Sequence, residues 1–450
     1  MRQQQRRVQA PLGARGTLWL SLYALLVLAP LAVAVVSDPY PNARPWLVEA
    51  SVALGFIATP VILAQFALVS RQGTISRLFG NDALLQFHRG MGFTALAFAV
   101  GHPLFLNLQG LPLSTWSPFS GGAVTRSGAL ATLALVILVA TTVLRRRLRL
   151  SYEGWRSVHV GLAVVIVAAL AAHVVVVGGY GATTAGRVLL VAYVAAFGAL
   201  LAIYRVIRPM AMRRKPWEVA ENVDIGGATR LLRVRPVGHP GFDFVAGQFA
   251  WLVTGRSPFS REQHPLSFAS SAERPSDGAI ELAVKALGDW SGDVVPALTQ
   301  KERVWVDGPF GAFSHERVDA DGFVMIAGGI GVTPMRSMLL TLRDRGDRRP
   351  VLLVHAARDT DGLLFRRELE SLRGTLGLEI VQVLESAPAD WSGERGVVTR
   401  DLLLRYLPAE PTRYHYFVCG PRPMMDSVER ILVETGVSRP RVHSERFDIV

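Results

Sequence analysis

The first 210 residues hold six apolar runs, each long enough to cross a bilayer and joined to the next by a short connection; they lie near 17–36, 46–69, 83–106, 127–144, 157–178 and 186–207. A span takes about 20 apolar residues. Hydrocarbon offers no water to backbone polar groups, so single runs of this length have to be helices. The pattern predicts an all-α six-helix transmembrane bundle over residues 1–214. The first run is too long, and too poor in small residues at a cleavage point, for a secretory leader. From residue 215 onward the chain carries the charges, prolines and alternating patterns of a water-soluble protein.

Arginine sets the expected orientation. Arg2, Arg6 and Arg7 precede the first run, and Arg71 and Arg77 lie in the second connection. Arg145, Arg146, Arg147 and Arg149 lie in the fourth, and Arg205, Arg208, Arg213, Arg214 and Lys215 follow the sixth run. The alternate connections hold only Arg44, Arg126 and Arg187 near their ends. Both termini and the soluble half are therefore expected in the cytoplasm, with the chain multi-pass in the cell (plasma) membrane. The formal net charge of +12 is largely this positive-inside arginine. No basic run is interleaved with aromatics as a strand-binding groove requires, so membrane lipid is expected around the chain and nucleic acid is not a partner. A single cysteine, Cys419, excludes an internal disulfide, a Cys-ligated iron–sulfur cluster and a cysteine zinc site.

Four histidines sit in the apolar half as two pairs of equal spacing, His88 with His102 and His159 with His173, each 14 residues apart. Along an α-helix, 14 residues cover about 21 Å and return to within about 40° of the same face. Each helix thus presents two imidazoles on one face at two depths. The arginine rule makes the third and fifth spans parallel. His88 then matches His159 near the cytoplasm, and His102 matches His173 near the outer face. Two such levels suit two stacked b-type haems, each ligated by one histidine from each helix. A lone buried histidine is as readily satisfied by a hydrogen bond to a neighbouring helix. Two matched pairs, with no other histidine before residue 230, favour the iron reading. Bis-histidine ligation fills both axial positions, so any reduction of dioxygen would be outer-sphere. Arg156, one turn before His159, is either a propionate partner or a cytoplasmic anchor, and Arg126 and Arg187 have the same two options outside.

The soluble half reads as two domains. In residues 215–314, short alternating runs (Thr229–Val237, Gln248–Thr254, Ile280–Leu287 and Arg303–Asp307) are punctuated by Gly and Pro, which predicts a small antiparallel β-barrel. In residues 315–450, apolar runs at Gly322–Ile326, Val351–His355, Leu378–Leu384 and Tyr414–Val418 alternate with helical patterns such as Pro334–Arg343. That alternation predicts a parallel-sheet α/β nucleotide-binding domain.

The motifs point to nucleotides. Gly328, Gly329, Gly331, Thr333 and Pro334 lie in a turn that follows an apolar strand and opens a helix, where a backbone without side chains can approach a pyrophosphate. Cys419, Gly420 and Pro421 follow the last strand, at the carboxyl edge where such sheets bind ligands. In the barrel, His264-Pro265-Leu266-Ser267 and the run from Lys285 through Gly288, Trp290 and Ser291 are candidate flavin contacts, and Asp307-Gly308-Pro309-Phe310-Gly311 closes the barrel. Each alone is more often a turn; their order and spacing together carry the argument. Arg358 follows the strand Val351–His355, where this fold selects the adenosine ribose. A guanidinium there meets a 2′-phosphate with paired hydrogen bonds and favours NADPH over NADH. Alternatively it solvates its loop or pairs with Asp359 or Asp361.

Taken together, the soluble half resembles the ferredoxin–NADP reductase family. The whole chain, over roughly residues 15–450, resembles the ferric reductase and NADPH oxidase family, whose six-helix domain holds two bis-histidine haems. The resemblance implies that His264–Ser267 lie against the flavin ring and that Lys285–Ser291 hold the flavin phosphates, FAD being expected rather than FMN. It implies that the Gly328–Pro334 turn holds the NAD(P)H pyrophosphate, that Cys419–Pro421 lie beside the nicotinamide, and that Glu445-Arg446-Phe447 pack near the flavin. Cys419 and Phe447 are thereby the candidates closest to hydride transfer. Two positions depart from the family. His264 stands where the reductases have Arg, as in the oxidase branch, and Leu266 replaces an aromatic, which implies weak flavin retention. Three residues follow Phe447. No calcium-loop pattern is present.

The expected activity is transfer of electrons from cytosolic NAD(P)H through FAD and two haems to an extracytoplasmic small-molecule acceptor, either dioxygen, giving superoxide, or ferric iron. The outer loop 107–126 has no acid or His to chelate iron, which tilts the expectation toward a small diffusible acceptor. A membrane cytochrome subunit that passes electrons to a protein or quinone partner is the alternative, and a structural six-helix protein with an inert nucleotide domain is the third reading.

Overall fold

The structure is a computed structural model that describes residues 12–37, 40, 42–70, 75, 79, 81–178, 183–260, 262–273 and 277–446. The chain forms two compact units, one drawn from residues 1–72 and 83–207 and the other from residues 73–82 and 208–450.

Among the described residues, six helices are long and apolar enough to cross a membrane. They are α1 (Leu12–Val36), α2 (Trp46–Val69), α3 (Asn81–Leu108), α4 (Ala123–Val143), α5 (Tyr152–Val177) and α6 (Thr184–Ala202). Hydroxyl caps mark where two of them begin. Ser151 Oγ accepts from the Gly154 amide at 3.1 Å, and Thr183 Oγ1 accepts from the Gly186 amide at 3.1 Å. Such caps satisfy amides that the first turn leaves unpaired. Five helices contribute to one apolar cluster: Val27, Val61, Ile62, Ala95, Ala134, Leu135 and Ile166. The last span ends in a π-helical turn, Ile203–Ile207.

The second unit begins with α7 (Arg208–Arg213) and then holds two sheets. The first is antiparallel, in the order β4-β3-β6-β1-β2-β5, from β1 (Trp217–Asp224), β2 (Thr229–Pro236), β3 (Phe249–Val253), β4 (Gln263–Ser267), β5 (Ile280–Lys285) and β6 (Arg303–Phe310). Its two edges meet where Phe268 pairs with Leu282 and the Ala269 amide donates to the Glu281 carbonyl at 2.8 Å. Joining edges removes the unpaired strand groups an open sheet would expose. Trp217, Leu232, Leu252, Phe268 and Leu282 fill the interior.

The second sheet is parallel, in the order β10-β9-β8-β7-β11-β12: β7 (Phe323–Gly328), β8 (Val351–Ala357), β9 (Leu378–Leu384), β10 (Glu394–Arg395), β11 (His415–Cys419) and β12 (Val442–Ser444). All six residues of β7 are buried, as expected for a strand covered on both faces. Met335 and Leu339 of α8 (Val332–Asp344) pack on one face; Leu402 of α9 (Arg400–Tyr406) and Val428 and Leu432 of α10 (Arg422–Glu434) pack on the other.

Arg336 of α8 ties the two sheets together. It is 6% exposed. Its guanidinium donates to Glu368 at 2.6 and 2.8 Å, to Glu281 of β5 at 2.6 Å and to the Ala269 carbonyl at 2.8 Å. These bonds satisfy the buried charge and hold the nucleotide sheet against the barrel.

Candidate functional site

The membrane unit brings the four histidines into two facing pairs. The rings of His88 and His159 have centroids 6.3 Å apart, and those of His102 and His173 are 6.2 Å apart. Two imidazoles that bind one metal ion through Nε2, at the usual distance of about 2 Å, have centroids about 6 Å apart, so the separations fit a bis-histidine iron. Tautomer chemistry fits too. His102 Nδ1 lies 2.8 Å from the Ser51 carbonyl and His173 Nδ1 lies 2.9 Å from the Val124 carbonyl. A carbonyl only accepts, so Nδ1 carries the proton and Nε2 keeps its lone pair for a metal. Midway between the two levels, Ala95 and Ile166 each stand seven residues from the histidines of their own helix and are buried in the apolar cluster. The levels are therefore separated by apolar packing. Arg126 donates from Nε to the Gly121 carbonyl at 3.0 Å.

In the soluble unit, the turn after β7 packs directly on the turn after β11. A Cβ on Gly331 would overlap the Cys419 carbonyl and lie 2.8 Å from the Gly420 amide nitrogen. A Cβ on Gly328 would lie 2.8 Å from Pro421 Cδ. Gly329 has φ +53°, in the left-handed region. Side chains are thus excluded from both turns by contact, and the two turns form one edge at the carboxyl ends of β7 and β11. Thr333 Oγ1 donates to the Ile330 carbonyl at 2.8 Å, and Thr333 and Pro334 are buried in the first turn of α8. Backbone amides at a helix start of this kind can receive a pyrophosphate.

One barrel motif reaches the same edge through Lys285. Lys285 Nζ would be 3.8 Å from a Cβ on Gly329. His264 stacks on Trp290, with centroids 3.7 Å apart and planes 12° from parallel. Trp290 Nε1 donates to Thr254 Oγ1 at 2.9 Å. Ser291 Oγ accepts from the amides of Leu287 and Gly288 at 2.9 and 3.0 Å, which shapes the turn after β5. Pro265 and Leu266 pair with Trp251 and Ala250 of β3, and Ser267 is buried.

Arg358 is exposed beyond β8 and makes no ion pair among the described residues. Asp359 instead accepts from the Gly362 amide at 2.9 Å, and Asp361 accepts from the Gly227 amide at 2.6 Å. The pairing alternative for Arg358 is therefore not what the structure shows. Glu445 is buried, with Oε1 3.1 Å from a Cβ built on Gly311. Arg446 bridges Asp426 at 2.5 Å and Glu429 at 2.8 Å. Phe447 lies outside the described residues.

Residues 54–170 match the family described as ferric reductase like transmembrane component, and residues 325–430 match the oxidoreductase NAD-binding domain. The chain has the domain architecture of the ferric reductase and NADPH oxidase family. It is a membrane oxidoreductase in which a ferric reductase-like helical domain is joined to an NAD-binding reductase module. The electron transfer component XylA of the Pseudomonas putida xylene/toluene monooxygenase is 33% identical over 187 residues, 40% of this ferric reductase-like chain and 52% of that protein. NADH-cytochrome b5 reductase 1 of Pyricularia oryzae is 29% identical over 257 residues, 56% of this chain and 74% of that protein. The chain thus spans about half the length of the first relative and three quarters of the second. The crystal structure of a flavohemoglobin from Malassezia yamatoensis with bound FAD and heme is alike at 15% identity, over 89% of this chain and 97% of that one, with a TM-score of 0.50. At that identity the likeness is one of fold alone.

Sequence reasoning passed over Ser51, Gly55, Val124, Gly128 and Thr254, which hold the histidines and Trp290. The Ser51 and Gly55 pair was findable, because small residues four apart in an apolar helix mark a close helix contact.

Proposed function

We propose that this ferric reductase-like chain carries electrons from cytosolic NAD(P)H through FAD and two b-type haems to an acceptor on the outer side of the plasma membrane. One observation carries the reading: two histidine pairs, 6.3 and 6.2 Å between centroids, in membrane helices joined to a reductase module. His88 with His159, and His102 with His173, would hold the haems. His264–Ser267 and Lys285–Ser291 would hold FAD, and the Gly328–Pro334 turn with Cys419–Pro421 would place the nicotinamide. When bound, the flavin takes a hydride and passes on single electrons, which the haems carry. The residues supply position and a dry path: the apolar layer at Ala95 and Ile166 keeps water from between the two levels. NADPH is the preferred donor, supported by the exposed guanidinium of Arg358, which has no ion pair among the described residues. The arginine distribution supports placing both termini and the reductase module in the cytoplasm.

For the acceptor, the outer connection supports a small diffusible molecule, dioxygen first. Asn107 organises that connection. Its Nδ2 donates to the carbonyls of Leu111 and Pro112 and to Thr115 Oγ1 at 3.0, 3.2 and 3.0 Å, and Trp116 Nε1 donates to its Oδ1 at 2.5 Å. The folded loop offers no carboxylate or imidazole to a ferric ion. The test is the absorbance of the purified protein with NADPH, followed by superoxide trapping against ferric-chelate and quinone reduction. Haem bands that stay oxidised with NADPH would refute the pathway. Reduced haem with no superoxide would refute the acceptor.

A further inference from the structure

We infer that Ser51, together with the notches at Gly55 and Gly128, sets the orientation and donor strength of the outer histidine pair, so that the two haem positions are electronically unequal. The inference rests on the haem reading proposed above and deepens it.

His102 is locked to a single residue of α2. Its Nδ1 donates to the Ser51 carbonyl at 2.8 Å, and Ser51 Oγ lies 3.0 Å from the same nitrogen while donating to the His102 carbonyl at 2.7 Å. Ser51 is wholly buried. Its hydroxyl oxygen is thus a second acceptor beside Nδ1. His173 repeats the arrangement on α4, where the Val124 carbonyl accepts from Nδ1 at 2.9 Å. In both helices a glycine stands four residues after the accepting carbonyl, on the same face one turn along. A Cβ on Gly55 would be 3.3 Å from His102 Nδ1, and one on Gly128 would be 2.9 Å from His173 Nδ1 and Cε1. The glycines let each ring lie against the helix that accepts its proton.

The inner pair is held less closely, and no glycine notch stands against its rings among the described residues. Among the described residues His159 Nδ1 reaches the Thr142 hydroxyl, at 3.4 Å, and that hydroxyl already donates to the Leu138 carbonyl at 2.7 Å and accepts from Trp155 Nε1 at 3.2 Å. His88 Nδ1 is buried, and the Gln65 carbonyl behind it stands outside the geometry that the Ser51 and Val124 carbonyls meet. Donation from Nδ1 to a strong acceptor makes Nε2 a more basic ligand. A more basic ligand favours the ferric ion, which carries the higher charge. The outer position is therefore the more strongly ferric of the two.

The test is potentiometric titration with low-spin ferric EPR on the full-length protein. The His102→Leu variant identifies which haem component is the outer one. Ser51→Ala should raise the midpoint of that component alone, by about a tenfold change in ferric preference, which is about 59 mV for one electron. Gly128→Ala should alter or abolish the low-spin signal of the same component. Gly161→Ala, whose Cβ meets nothing within 4 Å, should leave both components unchanged. Wild-type midpoints and signals in both Ser51→Ala and Gly128→Ala would overturn the inference. So would a change confined to the component that survives in His102→Leu. Wild-type protein that binds no haem would refute the haem reading itself.

Discussion

His264 lies flat on Trp290, with ring centroids 3.7 Å apart and planes 12° from parallel, and Trp290 is in turn held by Thr254 at 2.9 Å. Three segments of the barrel are locked by this contact, two of them the segments proposed to hold FAD. An aromatic pair contributes about 0.5–1.5 kcal/mol beyond its buried area. Trp290→Ala should therefore weaken FAD retention by roughly twofold to tenfold, and Leu266→Tyr, which restores an aromatic beside the flavin, should tighten it. Flavin released per protein after gel filtration reads both. Unchanged retention in both variants would remove this part of the site.

On the proposed reading Arg358, which has no ion pair among the described residues, selects the nicotinamide donor. Arg358→Ala should raise the KM for NADPH roughly tenfold to a hundredfold, from loss of a charge-assisted pair of about 1.5–3 kcal/mol, with the KM for NADH nearly unchanged. Equal losses with the two donors would show that the residue does not read the 2′-phosphate.

His102→Leu removes one imidazole of the pair proposed as the outer one, whose partner His173 stands 6.2 Å away. The variant should keep about half the haem of the wild type, because bis-histidine ligation needs both rings. Flavin reduction by NADPH should survive while reduction of outer acceptors stops. Full haem content would break the ligand assignment.

Arg336 is the charged link between the nucleotide sheet and the barrel, with carboxylates of Glu281 and Glu368 both at 2.6 Å. Arg336→Met strands two carboxylates. The cost should be about 2–4 kcal/mol, less than for a fully buried pair because both glutamates keep some contact with water. Thermal melting of the full-length protein should show the loss, and flavin reduction should slow while FAD content holds. An unshifted melting transition would mean that other contacts hold the domains.

Acid should destabilise the reductase module through two buried histidines. Burial, followed by the guanidinium groups of Arg345 and Arg349, pushes His315 down to about 3 from 6.5, and burial pushes His355 down to about 4. A depressed folded value means that the unfolded chain binds the proton first. The stability is complete above about pH 6.5 and is lost as the pH falls toward the folded values, at up to about 1.4 kcal/mol per unit for each histidine. Denaturant midpoints between pH 7 and about pH 5 should fall accordingly. His355→Leu should flatten the slope, and an equal slope in that variant would exclude His355 as a source.

The apolar runs determined the membrane helices by themselves. The run expected near 83–106 is the helix Asn81–Leu108, and that expected at 46–69 is Trp46–Val69. Length and hydropathy decide a span locally, because a backbone in hydrocarbon has no other way to pair. The glycine turn was legible for the same reason, since Gly331 answers to a neighbouring backbone and no side chain fits there. Strand β4 was not read as a strand, because it is five residues long with Pro265 at its centre, and it exists only by pairing with β3. Strand β12 is three residues long and forms only where the chain returns to β11 after α10. The equal spacing of His88, His102, His159 and His173 announced two levels, but the partner of each Nδ1 depended on which helix packed behind it. Ser51 and His102 are 51 residues apart, and Val124 and His173 are 49 apart. Contacts of that reach belong to the packing of helices, and no local pattern encodes which carbonyl will stand behind which ring.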